Sequence, residues 1–151
     1  MISSILELDL VATDVSQQAI ALARAFWPGG LTLVLKKRSV VPDIVTGGLP
    51  TLGVRVPAHR VPLALIRKLG SPLVGTSANL SGTPSLTRAA DVRAQFGRVG
   101  NSPLRVDYVF DGRCKVGVES TIVDVTGRVP RILRQGAVPR RDIERVCGKV
   151  A

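Results

Sequence analysis

Pro28-Gly29-Gly30-Leu31-Thr32-Leu33-Val34-Leu35-Lys36-Lys37-Arg38 sets a short apolar run between two glycines and three cations. A run of that length, bounded by turn residues and charge, is expected to form a strand covered on both faces, the kind that sits inside a sheet flanked by helices. Upstream, Asp14-Val15-Ser16-Gln17 resembles a capping box. Val15, Ala19, Leu22, Ala23 and Phe26 then recur at helical spacing until Pro28-Gly29-Gly30 ends the pattern. Downstream, Thr51-Leu52-Gly53-Val54-Arg55-Val56-Pro57 alternates as a strand, residues 61–69 read as a helix begun by His59, and Leu73-Val74 as a short buried strand. Residues 87–96 read as a helix capped by Thr87 or Ser85. The last third changes character: β-type runs at 106–110, 121–125 and 129–133, the last two joined by a hairpin at Thr126-Gly127, precede a helix near 140–146. Helices and strands alternate first and strands cluster later, which predicts one α/β domain, a twisted mixed sheet flanked by helices.

Composition narrows the function. The 151 residues fit a single domain, and no apolar run nears the roughly 18 residues that cross a bilayer, so neither a membrane span nor a membrane partner is expected. The start, Met1-Ile2-Ser3-Ser4-Ile5, lacks the features of a signal peptide. Two cysteines and one histidine cannot close a structural zinc site, and a reducing cytoplasm fits this cysteine usage. A net charge of +10 favours a polyanionic or phosphorylated partner, with Arg128, Arg131, Arg134, Arg140, Arg141, Arg145 and Lys149 crowded near the C-terminus. One Trp, one Tyr and three Phe give poor support to a stacking platform for single-stranded bases, and a solvated basic surface is the plain alternative.

Alternation along residues 51–57 puts Leu52, Val54 and Val56 on one face and Thr51, Gly53 and Arg55 on the other. A guanidinium beside a glycine and a hydroxyl suits a carboxylate or phosphate, against the plain reading of a solvated edge-strand arginine. Gly75-Thr76-Ser77-Ala78-Asn79-Leu80-Ser81-Gly82 is rich in small hydrogen-bonding groups that can converge on phosphate oxygens, or equally form an ordinary turn. No G-x-x-x-x-G-K-[ST] or G-x-G-x-x-G is present. Serine-hydrolase chemistry lacks its elbow: His59 is the sole imidazole, and no G-x-S-x-G surrounds Ser77, Ser81 or Ser120. Glu119-Ser120-Thr121-Ile122-Val123-Asp124 opens a strand with polar residues, and in Arg131-Ile132-Leu133-Arg134-Gln135-Gly136-Ala137 an arginine closes one just before a glycine.

In order, F-W-P-G-G-L-T-L-V-L, G-V-R-V-P-A-H, G-T-S-A-N-L-S-G-T-P-S, E-S-T-I-V-D and I-L-R-Q-G-A closely resemble the YrdC-like family of threonylcarbamoyl-AMP synthases over residues 20–146. The resemblance implies a YrdC-like fold and the joining of L-threonine, bicarbonate and ATP into threonylcarbamoyl-adenylate with release of pyrophosphate, for modification of tRNA. It also implies that Arg55, Thr76 and Ser120 line the threonine pocket, and that Thr51, Ser77, Ala78, Asn79, Ser85 and Arg134 contact the nucleotide. No catalytic nucleophile and no metal ligands from the protein are implied; Mg2+ is expected with ATP.

The family's usual N-terminal P-T-[DE]-T, K-x-R and S-x-N motifs are not found; Lys36-Lys37-Arg38 matches K-x-R in letters but follows the wrong strand. The chain is therefore expected to be an N-terminally truncated YrdC-like domain, the last two thirds to three quarters of one, with self-association covering the missing strands. Other tRNA-modification proteins are expected partners. Two other readings stand beside the synthase. One is a module that binds tRNA or double-stranded RNA without catalysis, or an inactive fragment. The other is a domain of a larger carbamoyl-transferring enzyme, against which the lack of acylphosphatase-like and zinc-finger sequence argues.

Overall fold

The computed structural model describes residues 1–97, 105–112, 114 and 118–151. The chain divides into two compact units, one formed by Met1–Val74 with Glu119–Ala151, the other by Gly75–Val118. Among the described residues no helix is long and apolar enough to cross a membrane.

The first unit is built on a five-stranded mixed sheet. Strand β2 (Leu31–Lys37) is its centre. It pairs antiparallel with β3 (Thr51–Val54), in a register that sets Val34 opposite Gly53 and Lys36 opposite Thr51. It also pairs parallel with β4 (Thr121–Asp124). Lys36 meets Thr13 as well as Thr51, so the two-residue β1 (Ala12–Thr13) shares the β4 edge of β2. Strand β5 (Arg131–Arg134) closes the order, antiparallel to β4 with a bulge at Ile122/Val123. Two four-residue helices, α1 (Leu8–Val11) and α3 (Asp43–Thr46), precede β1 and β3 in the chain.

One face of this sheet is fully covered. Leu31, Leu33, Leu35, Val54, Val56, Val123 and Val125 are buried together with Ala19, Leu22 and Ala23 of α2 (Gln17–Phe26) and Ile143 of α6 (Arg140–Cys147). The opposite face is only half-buried at Thr32, Val34, Ile122 and Asp124. The expectation that β2 is covered on both faces is therefore corrected. Its threonine occupies the open side, where a hydroxyl keeps access to polar partners, and the three leucines supply the covered side.

Local chemistry sets most element ends. Helix α2 is capped by Ser16, whose Oγ accepts from the Ala19 N–H at 3.2 Å. The expected Asp14 cap does not form. Asp14 takes a left-handed φ of 53° and its carboxylate pairs with Lys36 at 3.1 Å instead. Helix α4 (Arg60–Leu69) begins as read, with His59 Nδ1 accepting from the Val61 N–H at 3.2 Å. Leu73-Val74 is not a strand. Leu73 exchanges both backbone bonds with Met1, but Val74 is 72% exposed and the pairing ends after one residue. The β4–β5 connection is a six-residue turn rather than a tight hairpin. Within it Asp124 accepts from the Thr126 N–H at 3.0 Å and from its Oγ1 at 2.6 Å. Loss of solvation raises the Asp124 pKa, but these bonds and the Arg131 charge outweigh it and hold the carboxyl below its ordinary range. The support this gives the turn is present above the ordinary carboxylate range and fades as pH falls through the lowered value.

The second unit holds helix α5 (Ala89–Phe96). Its N-cap is Arg88, not Thr87 or Ser85: backbone groups of the flanking segment bind there, the Ala89 N–H reaching Gly112 O at 3.1 Å and the Cys114 N–H reaching Thr87 O at 2.8 Å. Residues 106–110 are not a strand. The Val106 N–H binds Phe96 O at 3.1 Å and Val109 O accepts from Arg93 at 3.0 Å, and no strand lies among this unit's described residues to offer a ladder.

A single buried hydroxyl stitches the end of β5 to the start of β4. Thr121 is fully buried; its Oγ1 accepts from the N–H groups of Gly136 (2.9 Å) and Val138 (3.0 Å) and donates to Val138 O (2.7 Å). Thr121→Val keeps the shape but leaves the buried Val138 N–H and the part-buried Gly136 N–H without their acceptor. It is expected to lower unfolding free energy by about 2 kcal/mol, read as a lower denaturant midpoint at unchanged slope.

Candidate functional site: the open face of the sheet

Alternation fixes which side chains share the uncovered face. Register puts Gly53 of β3, Thr32 and Val34 of β2, and Ile122 and Asp124 of β4 on one side, with Arg134 of β5 opposite Ile122. Ser120 and Arg55 each lie two residues along their strands from members of that set, so the same parity carries them there.

Arg55 is half-buried and continues β3. Its Nε donates to Gly29 O at 2.6 Å, and the Gly29 N–H in turn donates to Val56 O at 2.9 Å, so the Pro28-Gly29-Gly30 turn clamps this segment at two points. Among the described residues no carboxylate pairs with Arg55. Loss of solvation pulls its pKa below the ordinary arginine range. A guanidinium that is fixed through Nε, partly desolvated and unneutralised presents its two terminal nitrogens as a fork for an anionic ligand, best a carboxylate.

Ser120 is nearly buried at the entry to β4. Its Oγ lies 2.8 Å from Thr32 Oγ1 and accepts from Arg134 Nη2 at 3.3 Å, and its carbonyl accepts from Arg134 Nε (3.2 Å) and Nη2 (3.0 Å). Arg134 Nη1 pairs with Glu119. The sheet thus brings Arg55, Ser120 and Arg134 to one face, with Thr51 half-buried at the start of β3.

The other expected residues lie in the second unit. Thr76, Ser77 and Ala78 are exposed. Asn79 is the hub of its own loop: its amide donates to Leu80 O (2.9 Å) and Thr83 O (2.8 Å), its Oδ1 accepts from Ser85 at 3.5 Å, and the Leu86 N–H returns to Ala78 O at 2.9 Å. The small polar residues of this stretch therefore shape a self-bonded loop whose outer rim is Thr76, Ser77 and Ala78.

Sequence reasoning missed Thr32, Gly29 and Thr121. For Thr32 the signal was present as a hydroxyl at the even position of an otherwise aliphatic strand. For Gly29 and Thr121 there was none, because their roles rest on contacts distant in sequence. Among the described residues no cluster of three or more His, Cys, Asp or Glu side chains could hold a metal ion.

A mixed sheet with one face buried under helices and the other carrying an anchored guanidinium and paired hydroxyls is the frame of an α/β domain whose open face can meet a polar ligand. The chain belongs to the Sua5/YciO/YrdC family, described as "Telomere recombination", which it matches over residues 1–136. It is 43% identical over 150 residues to the threonylcarbamoyl-AMP synthase of Pyrococcus abyssi and 38% identical over 151 residues to that of Bacillus subtilis. Each match covers 99% of this chain and 42% of the relative. The solved structure of P. abyssi Sua5 complexed with L-threonine superposes with a TM-score of 0.86 at 43% identity, over 99% of this chain and 42% of that one. The chain thus spans less than half the length of these relatives. The resemblance read from the five ordered motifs and the mixed α/β fold are both borne out.

Proposed function

We propose that the protein acts as an L-threonylcarbamoyladenylate synthase, a nucleotidyltransferase serving tRNA modification in the cytoplasm. The observation that carries this is Arg55, a clamped cation without a carboxylate partner among the described residues, on the open sheet face of a chain similar to a protein solved with L-threonine. Arg55 takes the threonine carboxylate, and Ser120 and Thr76 line the remainder of that pocket. The threonine amine captures carbon dioxide, supplied by bicarbonate, as a carbamate. A carbamate oxygen then attacks the α-phosphorus of ATP and pyrophosphate leaves. Thr51, Ser77, Ala78, Asn79, Ser85 and Arg134 contact the nucleotide. Magnesium enters on the triphosphate as part of the substrate. The rate arises from positioning and charge neutralisation, which is why no nucleophile is required of the protein. Pyrophosphate release from ATP that requires both L-threonine and bicarbonate is the expected result; release indifferent to threonine refutes the reading.

RNA binding without catalysis is the second reading, favoured by the net charge of +10 and by helix α4, whose Arg60, Arg67 and Lys68 are exposed with no acidic residue in the helix. Its mark is a salt-sensitive affinity for tRNA or double-stranded RNA that is blind to threonine and ATP.

A further inference from the structure

We infer that Thr32 is a positioning residue for amino-acid recognition: with Ser120 it forms a hydroxyl pair, polarised by Arg134, that presents one O–H donor to an oxygen of the bound amino acid. The inference rests on the function proposed above and adds a residue to it.

The argument is a proton count. Arg134 has no acceptor, so at 3.3 Å its Nη2 donates to Ser120 Oγ and occupies one of that oxygen's two lone pairs. Thr32 Oγ1 and Ser120 Oγ lie 2.8 Å apart and share one hydrogen bond, in which either can donate. The two hydroxyls carry two protons and their mutual bond uses one. If Thr32 donates, both lone pairs of Ser120 are filled and the Ser120 proton must point elsewhere; if Ser120 donates, the Thr32 proton is left over. In both arrangements one O–H remains, and among the described residues it has no acceptor. It stands on the face that carries Arg55, beside a cation that strengthens it as a donor.

The rotamer of Thr32 is set by its other neighbour. A Cβ built on Gly53 would stand 3.2 Å from Thr32 Cγ2. The methyl thus fills the space that glycine leaves on β3, and the hydroxyl is turned to β4. Three adjacent strands therefore fix the donor: Gly53 on β3 seats the methyl, Thr32 on β2 bears the hydroxyl, and Ser120 leads into β4. A residue that merely packed the sheet would serve equally well as valine.

The test compares Thr32→Val, which keeps the shape, with Thr32→Ser, which keeps the hydroxyl. L-Threonine binding is measured by calorimetry on the whole chain, and kcat and KM for threonine by pyrophosphate release. Thr32→Val is expected to weaken binding and raise KM for threonine about tenfold, with kcat at saturating threonine within about threefold, the size of one neutral hydrogen bond. Thr32→Ser is expected to stay within about threefold of the parent. Because the two hydroxyls share the one remaining donor, the losses of Thr32→Val and Ser120→Ala are expected to overlap, the double variant costing less than the two losses multiplied. The inference is overturned if Thr32→Val binds as the parent does, if the valine and serine variants lose affinity equally, or if the double variant shows the two losses multiplied. A parent that binds no L-threonine overturns the proposed function together with this inference, whereas a binding parent with an indifferent Thr32→Val overturns this inference alone.

Discussion

Arg55→Ala is expected to weaken L-threonine binding by two to three orders of magnitude while leaving the far-UV circular dichroism spectrum unchanged. Two charge-assisted hydrogen bonds from a partly desolvated guanidinium to a carboxylate contribute roughly 1.5–3 kcal/mol each, and each 1.4 kcal/mol is a factor of ten. The fold has little stake in the side chain: among the described residues its internal bond is the one from Nε to Gly29 O, and Gly29 stays tied to Val56 through its own N–H. Arg55→Lys is expected to recover only part of the loss, because an ammonium keeps the charge but cannot offer two parallel donors while also reaching Gly29. Calorimetric titration with L-threonine, paired with KM for threonine, separates these outcomes. An alanine variant with the parent's affinity would remove Arg55 from the pocket.

Gly136→Ala is expected to destabilise the first unit strongly. A Cβ at this position would meet Glu119 O at 2.3 Å, Ser120 C at 2.6 Å and Ser120 O at 2.7 Å, all backbone atoms at the entry to β4 that no rotamer change can clear. Relief requires moving residues 119–120 or 136–138. Those segments are joined by the Ala137 N–H to Glu119 O bond at 2.9 Å and by the hydroxyl of Thr121. A cost of about 3 kcal/mol or more follows from overpacking against backbone with loss of buried hydrogen bonds. It is read as a fall in denaturant midpoint or melting temperature. Because Ser120 is one of the displaced residues, threonine affinity is expected to fall as well; a variant with parental stability would show that the strand entry yields more easily than its bonding implies.

Periodicity exposed the scaffold because burial acts on side chains one at a time. The leucines of β2, the apolar stripe of α2 and the alternation through β3 each report a local environment, and the structure honours them. The misplaced elements are those whose fate depends on a distant partner. Leu73-Val74 and residues 106–110 have strand composition but no edge to join, so their backbone groups go to Met1 and to α5. The cap read at Asp14 failed because a lysine on another strand competes for its carboxylate. The site was legible in the same measure. Arg55 declared itself by parity with Gly53 and Thr51, but what frees its terminal nitrogens is a carbonyl 26 residues away. Asn79 stands in the second unit, where its amide donates to Leu80 O and Thr83 O of its own loop, bonds that composition alone does not disclose. The clustering of Ser120 with Arg134 needed the β4–β5 pairing, which no window of local sequence contains.

The division of β2 into a sealed side and an accessible side separates two selective pressures within seven residues. Odd positions 31, 33 and 35 answer to foldability, and even positions 32, 34 and 36 answer to whatever molecule the sheet meets. Ligand preference in a protein arranged this way can drift through the even positions without endangering the architecture, and an engineer seeking a different ligand has a short, well-defined set of places to begin.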